Sequence, residues 1–113
     1  MLNALVYVHQ NNIIHGDVKA ANILFDGSEI KLSDFGESMA DCFSCDPGVT
    51  NSHIMSDEIN GSIKWMAPEL FLQKGRGRRS DIWSLGCTLV ELLTGQNPWP
   101  NVKVVEEVYE NVN

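Results

Sequence analysis

The segment from His15 to Asn22 brings a carboxylate, an amine and a carboxamide into one short polar loop, carried by Asp17, Lys19 and Asn22. Further along the chain, Asp34 adds a second carboxylate. An Asn oxygen and an Asp carboxylate are hard ligands that suit Mg²⁺, which keeps several waters of its own. Lys19 can neutralise a phosphate, and Asp17 can orient an attacking hydroxyl or accept its proton. Together these groups are the parts that phosphoryl transfer requires.

Two short apolar runs separate Asn22 from Asp34 and predict the element that positions them. The runs are Ile23-Leu24-Phe25 and Ile30-Lys31-Leu32-Ser33, and the residues Asp26-Gly27-Ser28-Glu29 between them have turn chemistry. We therefore predict a small antiparallel hairpin that folds back and brings Asn22 close to Asp34.

Helical periodicity predicts further elements near both ends of the chain. Residues 1–12 place four side chains on one helical face, those of Leu2, Leu5, Val6 and His9. No capping residue precedes Met1, so we expect this helix to begin earlier in a longer sequence. Residues 101–112 predict another helix. Between the two, residues 37–60 are polar and aperiodic, which predicts a long functional loop.

The strongest helical signal lies in the last third of the chain. Ser80 is predicted to cap a helix over Asp81–Thr94 that ends at Gly95. Apolar residues cover most of its circumference, so we expect it to be buried within something larger. A shorter helix is predicted over Met66–Leu72, with Pro68 in its first turn.

Four of these segments resemble the motifs of the eukaryotic protein kinases. Residues 17–22 match the catalytic loop, Asp34-Phe35-Gly36 the metal-binding tripeptide, and Ala67-Pro68-Glu69 the end of the activation segment. Residues 81–86 look like the start of the family's central helix. Four motifs in this order, with compatible spacing over essentially all 113 residues, are a specific signal.

The resemblance implies a fold and a set of site residues. The fold is α+β: residues 1–113 form an incomplete large (C-terminal) kinase lobe, mostly helical with a small β-hairpin. In this reading Asp17 is the catalytic base, and Lys19 contacts the transferred phosphate of ATP. Asn22 and Asp34 hold Mg²⁺.

The resemblance also implies a function, transfer of the γ-phosphoryl of Mg-ATP to Ser or Thr hydroxyls of a protein substrate. Ser62, where Ser/Thr kinases usually carry Thr, lies in the substrate-docking segment and bridges Asp17 and Lys19. The run from Trp65 to Glu69 and residues 81–99 look most like kinases acting upstream of mitogen-activated protein kinases. The expected partners are therefore upstream or downstream signalling kinases.

The sequence departs from the family pattern in three ways, and the first of them keeps an alternative open. No Gly-rich phosphate loop, β3 Lys or partner Glu occurs, so the small ATP lobe is missing from this sequence. The alternative is a catalytically inactive kinase-like scaffold, or a fragment of a longer kinase.

Gly16 replaces the Arg that usually precedes the catalytic Asp, which predicts that activity does not depend on a phosphate in the loop. The late Arg that pairs with Glu69 is also absent.

Other polar residues are interpreted structurally. His15 is expected to support the loop by packing and hydrogen bonding, and Asp81 to brace the loop backbone. Cys42 and Cys45 have zinc-like spacing, but His53 is the only third ligand nearby, so a four-ligand site is not predicted. The basic run over residues 74–79 is interpreted as a basic loop rather than a nucleic-acid patch.

Composition limits the functional classes. The chain has 8 basic and 15 acidic residues, a net charge of −7, which disfavours nucleic-acid binding. No apolar run approaches a membrane span, and no signal peptide is visible. The count of three cysteines predicts reduced thiols in the cytoplasm or nucleus.

Overall fold

The computed structural model describes residues 1–41, 62–72 and 74–101, which form three α-helices and two small antiparallel sheets. The helices are α1 (Leu2–Gln10), α2 (Pro68–Phe71) and α3 (Arg78–Thr94). The strands are β1 (Ile13–Ile14), β2 (Ile23–Phe25), β3 (Ile30–Leu32) and β4 (Met39–Ala40). Within these ranges, no helix has the length and apolar character needed to cross a membrane.

The predicted hairpin forms from β2 and β3, with Ile23 opposite Leu32 at its open end. Asp26 closes the turn at the other end. Its carboxylate oxygen Oδ1 accepts hydrogen bonds from the backbone N–H groups of Ser28 and Glu29, at 3.0 and 2.9 Å. These side-chain hydrogen bonds add to the backbone hydrogen bond from the N–H of Asp26 to the carbonyl of Glu29 at 3.3 Å, and together they fix the register of the two strands.

A second sheet was not predicted. β1 pairs antiparallel with β4, so Ile14 lies opposite Met39, and Ile13 opposite Ala40. The sequence prediction had placed residues 39 and 40 in a loop. Strands of two residues are too short to show alternation, and the partner lies far away along the chain, so no local pattern reveals the pairing.

The buried face of α1 differs from the predicted one. Leu5 and Val8 are buried, whereas Leu2 is 59% exposed and Val6 is 45% exposed. The helix ends at Gln10, within the predicted range, and a tight turn leads directly into β1. Leu5 is buried against Val18 and Leu85, so partners distant in sequence select the buried face, and periodicity alone does not.

The helix predicted over Met66–Leu72 is shorter than expected. A single 3₁₀ turn at Ile63–Trp65 comes first, and α2 then begins at Pro68. Proline fits the first helical position because its missing N–H would have no helical partner there. The helix predicted over 101–112 lies outside the described residues, apart from residue 101.

α3 begins almost one turn before the predicted start. Gly77 is the residue at the N-cap, and Ser80 lies in the first turn rather than at the cap. The Ser80 hydroxyl oxygen accepts a hydrogen bond from the Gly77 N–H at 3.0 Å, so Ser80 caps the helix from inside it. The predicted end is confirmed, because Gly95 has φ 69° and closes the helix in the left-handed conformation.

Within this chain α3 is only partly buried, so the prediction that it is buried within something larger stays a prediction. Leu85 and Cys87 are buried, and burial raises the pKa of the Cys87 thiol to about 11. In contrast, Leu89 is 51% exposed and Leu93 is 85% exposed. Within the described ranges, α3 packs on the 3₁₀ turns at Ile63–Trp65 and Ala20–Asn22, which lie against one side of it only.

Asp81 joins α3 to the rest of the fold and is 1% exposed. Its carboxylate accepts the backbone N–H of His15 and that of Gly16, both at 2.9 Å. The same carboxylate lies 2.7 Å from Nε2 of His9 on α1. Asp81 therefore braces the loop backbone as the sequence predicted, and it also links α1 to α3.

We expect Asp81→Asn to lower the free energy of unfolding by about 2–3 kcal/mol, since the amide leaves buried N–H donors without an acceptor. Urea unfolding followed by tryptophan fluorescence measures the loss. Asp26→Asn is the matched control, because an asparagine also forms this exposed turn. Equal small losses in both variants would contradict the bracing role of Asp81.

Candidate active site

Asp17, Lys19 and Ser62 form a hydrogen-bonded triangle. Nζ of Lys19 lies 3.0 Å from Oδ2 of Asp17 and donates a hydrogen bond to Oγ of Ser62 at 2.6 Å. Ser62 in turn hydrogen-bonds to Asp17. The side chains of Lys19 and Asp17 are 20% and 12% exposed, so the ion pair is shielded but still reachable from solvent. Ser62 thus bridges the two residues, in the arrangement that the family resemblance implied.

Asn22 stabilises this triangle through hydrogen bonds to Asp17. It is 6% exposed and ends the 3₁₀ turn that follows Lys19. Its amide nitrogen Nδ2 donates to the backbone carbonyl of Asp17 at 2.7 Å and to Oδ2 of Asp17 at 2.9 Å. Because the nitrogen is used in this way, the amide oxygen is the atom of Asn22 that remains suited to a metal ion.

Two opposing effects act on the pKa of Asp17. Burial, the largest single effect, raises it, but the hydrogen bonds from Ser62, Lys19 and Asn22 and the charge of Lys19 together lower it below the ordinary value of 3.8. Asp17 is therefore ionised at neutral pH. A carboxylate with a lowered pKa is a weak base, better suited to orienting a hydroxyl than to removing its proton early.

The open end of the hairpin carries Asp34 towards Asn22. The backbone N–H and the hydroxyl of Ser33 both donate to the backbone carbonyl of Asn22, at 2.9 and 3.0 Å. Asp34 follows at once with φ 59°, an uncommon conformation for a residue with a side chain. Its carboxylate oxygen Oδ1 accepts the N–H of Gly36 at 3.2 Å.

Four of the predicted residues line one cavity, and the fifth lies next to it. A cavity of about 220 Å³ is bordered by Asp17, Lys19, Asp34 and Ser62, while Asn22 is buried beside Asp17. Hard oxygens from Asn22 and Asp34 at the end of one hairpin fit Mg²⁺, whose other ligands are commonly waters and phosphate oxygens. No cluster of three or more His, Cys, Asp or Glu side chains suited to a metal occurs in the described ranges. Cys42, Cys45 and His53 lie outside those ranges.

His15 has internal partners on both ring nitrogens. Nε2 lies 2.9 Å from the carbonyl of Ser33, and Nδ1 accepts the N–H of Asp17 at 3.2 Å. These contacts together require a neutral ring with its proton on Nε2. The ring also meets Phe35 edge to face, with centroids 4.7 Å apart. His15 therefore links the segments that carry Asp17 and Asp34, in the structural role expected for it.

Sequence reasoning missed Glu91 on α3. One carboxylate oxygen of Glu91 accepts the backbone N–H of Ala20 at 3.1 Å and the indole Nε1–H of Trp65 at 3.0 Å. Glu91 thus joins the loop after Lys19 to the segment that carries Ser62. Glu91 is the only charged residue among residues 82–94 of this helix, and that was the signal that could have revealed it.

The basic run over residues 74–79 is not simply a solvated loop. The guanidinium of Arg76 donates to the backbone carbonyl of Glu37 at 3.1 Å. Arg78 lies in α3, where it pairs with Asp41 and donates to the side-chain oxygen of Asn12. These two arginines are joined to segments distant in sequence, which a charge count cannot show.

The chain is similar to known proteins along its whole length. The protein kinase domain profile matches residues 1–113. Mitogen-activated protein kinase kinase kinase A of Dictyostelium discoideum is 43% identical over 113 residues, covering 99% of this chain and 11% of that protein. Mitogen-activated protein kinase kinase kinase 3 of Mus musculus is 40% identical over 111 residues, covering 97% of this chain and 17% of that protein.

A plant protein gives the same result. Mitogen-activated protein kinase kinase kinase 3 of Arabidopsis thaliana is 42% identical over 100 residues, covering 88% of this chain and 14% of that protein. The chain thus spans less than a fifth of the length of these three relatives. Because the protein kinase domain profile matches residues 1–113, the chain belongs to the protein kinase family.

Proposed function

We propose that the protein carrying this chain is a serine/threonine kinase that transfers the γ-phosphoryl of Mg-ATP to hydroxyls of a protein substrate. One observation carries the proposal: Asp17, Lys19, Asp34 and Ser62 border a single cavity. The cavity thereby brings together a carboxylate that can accept a hydrogen bond from the substrate hydroxyl, a cation for the phosphate and a metal ligand. The names of the relatives favour a substrate that is itself a signalling kinase.

In the proposed reaction the hydroxyl oxygen of the substrate forms a bond to the γ-phosphorus while the bond to the β–γ bridging oxygen breaks. Asp17 accepts a hydrogen bond from the hydroxyl, orients it, and takes up its proton as the new bond forms. Lys19 keeps its positive charge close to the phosphoryl oxygens. Ser62 holds Lys19 and Asp17 at a fixed separation through its two hydrogen bonds.

Asn22 and Asp34 are the residues that would hold Mg²⁺, through the amide oxygen of one and the carboxylate of the other. The ion supplies neutralisation of phosphate charge when it is bound. Asn22 also donates two hydrogen bonds to Asp17. Hydrogen bonds therefore join Asn22, the proposed metal ligand, to Asp17, the proposed base.

We place residues 1–113 in the large, C-terminal lobe of a kinase domain. The support is the order of the four motifs and the predominance of helix over strand in the described residues. The sequence has no Gly-rich phosphate loop, so that part of the ATP site would be formed by residues outside this chain. The sparse cysteines favour action in the cytoplasm or the nucleus.

We expect Asp34→Asn to lower phosphate transfer to a generic Ser/Thr substrate by about 10²-fold or more, since a metal clamp contributes several kcal/mol to the transition state. The measurement is ³²P transfer from Mg-ATP, with Asp26→Asn as the exposed control. Transfer that survives Asp34→Asn would exclude this site. No binding and no transfer by any variant would favour a non-catalytic scaffold instead.

A second expectation concerns the bridge made by Ser62. Ser62→Ala should lower kcat by about 10-fold or more, because a hydrogen bond to a charged group contributes about 1.5–3 kcal/mol. Ser62→Thr keeps the hydroxyl and should retain most of the activity. Steady-state kinetics on both variants provide the test. Equal losses of kcat in Ser62→Ala and Ser62→Thr would show that activity does not depend on the hydroxyl at position 62.

A third expectation concerns the ionisation of Asp17. Its pKa is lowered in the folded state, so its carboxylate stabilises the fold above the ordinary value of 3.8, and that contribution is lost as pH falls through the folded pKa. The stability difference between the wild type and Asp17→Asn should be constant from about pH 7 to pH 5 and shrink below about pH 4. Urea unfolding at each pH measures it. A change in this stability difference centred between pH 5.5 and 7 would contradict a lowered pKa of Asp17.

A further inference from the structure

The space beside Gly16 is occupied by another residue. Gly16 directly precedes Asp17 and has φ 85°, a backbone conformation that side chains rarely adopt. A Cβ atom at this position would lie 2.5 Å from Nη1 of Arg76 and 2.7 Å from the carbonyl oxygen of Glu37. Any side chain at position 16 would therefore collide with the contact between Arg76 and Glu37.

Arg76 reaches this space from the loop between α2 and α3. Its side chain is 17% exposed, and Nη1 donates to the Glu37 carbonyl at 3.1 Å. The Glu37 carboxylate lies 3.9 Å from the same nitrogen but is 64% exposed, so solvent screens that charge pair. The backbone carbonyl is consequently the partner that fixes the guanidinium.

Glu37 is the residue immediately after the Asp34-Phe35-Gly36 tripeptide. The side chain of Phe35 is held from one side by the His15 ring. Arg76 contacts the residue that follows the tripeptide, through the Glu37 carbonyl. Asp34 lies directly before these two contacts in the chain, with a positive φ and a hydrogen bond from the N–H of Gly36. The N–H of Ser38, in the same peptide as the Glu37 carbonyl, donates to the carbonyl of Phe35 at 3.0 Å and closes a turn after the tripeptide. Arg76 ties this turn to the segment between α2 and α3.

We propose that Arg76 is a positioning residue for Asp34. By holding the Glu37 carbonyl in the space that Gly16 leaves open, Arg76 fixes the direction in which the Asp34 carboxylate enters the cavity. Gly16 is then required for a steric reason, because only glycine admits the guanidinium. The inference rests on the proposed function insofar as that function makes Asp34 a metal ligand.

The test uses the protein as its gene encodes it, with three variants: Arg76→Ala, Arg76→Lys, and Arg79→Ala as the matched control. Arg79 belongs to the same basic run but is exposed and lies outside the cavity. In Arg76→Ala, the Mg²⁺ concentration for half-maximal phosphate transfer should rise by about 10-fold, the range found when supports of metal ligands are removed. Arg79→Ala should stay within about twofold of the wild type. Arg76→Lys should fall between them, because lysine keeps the charge but not the planar fork.

A second readout does not depend on activity. Hydrogen exchange of a peptide covering residues 34–41 should be faster in Arg76→Ala than in Arg79→Ala. Equal hydrogen exchange of this peptide in Arg76→Ala and Arg79→Ala would show that Arg76 does not anchor the segment, even if the protein is an active kinase. Faster exchange with an unchanged Mg²⁺ requirement in an active protein would overturn the positioning of Asp34. If no variant transfers phosphate, the proposed function fails, while exchange still decides whether Arg76 anchors the segment.

Gly16→Ala tests the steric half of the proposal. The new methyl group should displace Arg76, so exchange over residues 34–41 should rise much as it does in Arg76→Ala. Adding Arg76→Ala to Gly16→Ala should then cause little further change, because the contact is already lost. Fully additive increases would show that the two residues act independently and would overturn the pairing.

Discussion

The buried carboxylate of Asp81 is the interaction on which the site depends. A charged group at 1% exposure is tolerable only when its oxygens are fully hydrogen-bonded, and here three donors converge on it. Two of them are consecutive backbone N–H groups, of His15 and Gly16, which directly precede Asp17. The carboxylate therefore fixes peptide planes, and the direction of the Asp17 side chain follows from them.

α3 carries a second carboxylate that acts on the other end of the same loop. Glu91 accepts the N–H of Ala20, and Asp81 accepts those of His15 and Gly16. The two acids are separated by about 15 Å along the helix axis, at 1.5 Å per residue. Between them, the hydroxyl of Thr88 contacts the carbonyl of Val18. A rigid helix thus sets the span of a loop that has no regular structure of its own.

How much the sequence could reveal depended on whether the determining contacts were local. The hairpin was predictable because Asp26 and its neighbours form the turn from adjacent residues. The end of α3 was predictable because Gly95 supplies the left-handed conformation by itself. The candidate residues Asp17, Lys19, Asn22 and Asp34 were found through their chemistry and a resemblance to known motifs.

The features that were missed depend on contacts between distant segments. β4 pairs with a strand of two residues from the start of the chain, and Glu91 gains its role only when Ala20 and Trp65 approach it. Arg76 was read as part of a basic run, since nothing local links it to Glu37.

The composition of the core has a thermal consequence. The largest side chains that are essentially inaccessible to solvent include His15, Thr88 and Asp81 beside Leu5 and Val18. Exposing apolar surface raises the heat capacity, whereas exposing polar surface lowers it, so the buried polar residues make the heat-capacity change on unfolding smaller than that of an all-aliphatic core of the same size. The stability of this segment therefore varies with temperature along a shallow curve, and cooling weakens it less than it would weaken a purely aliphatic core.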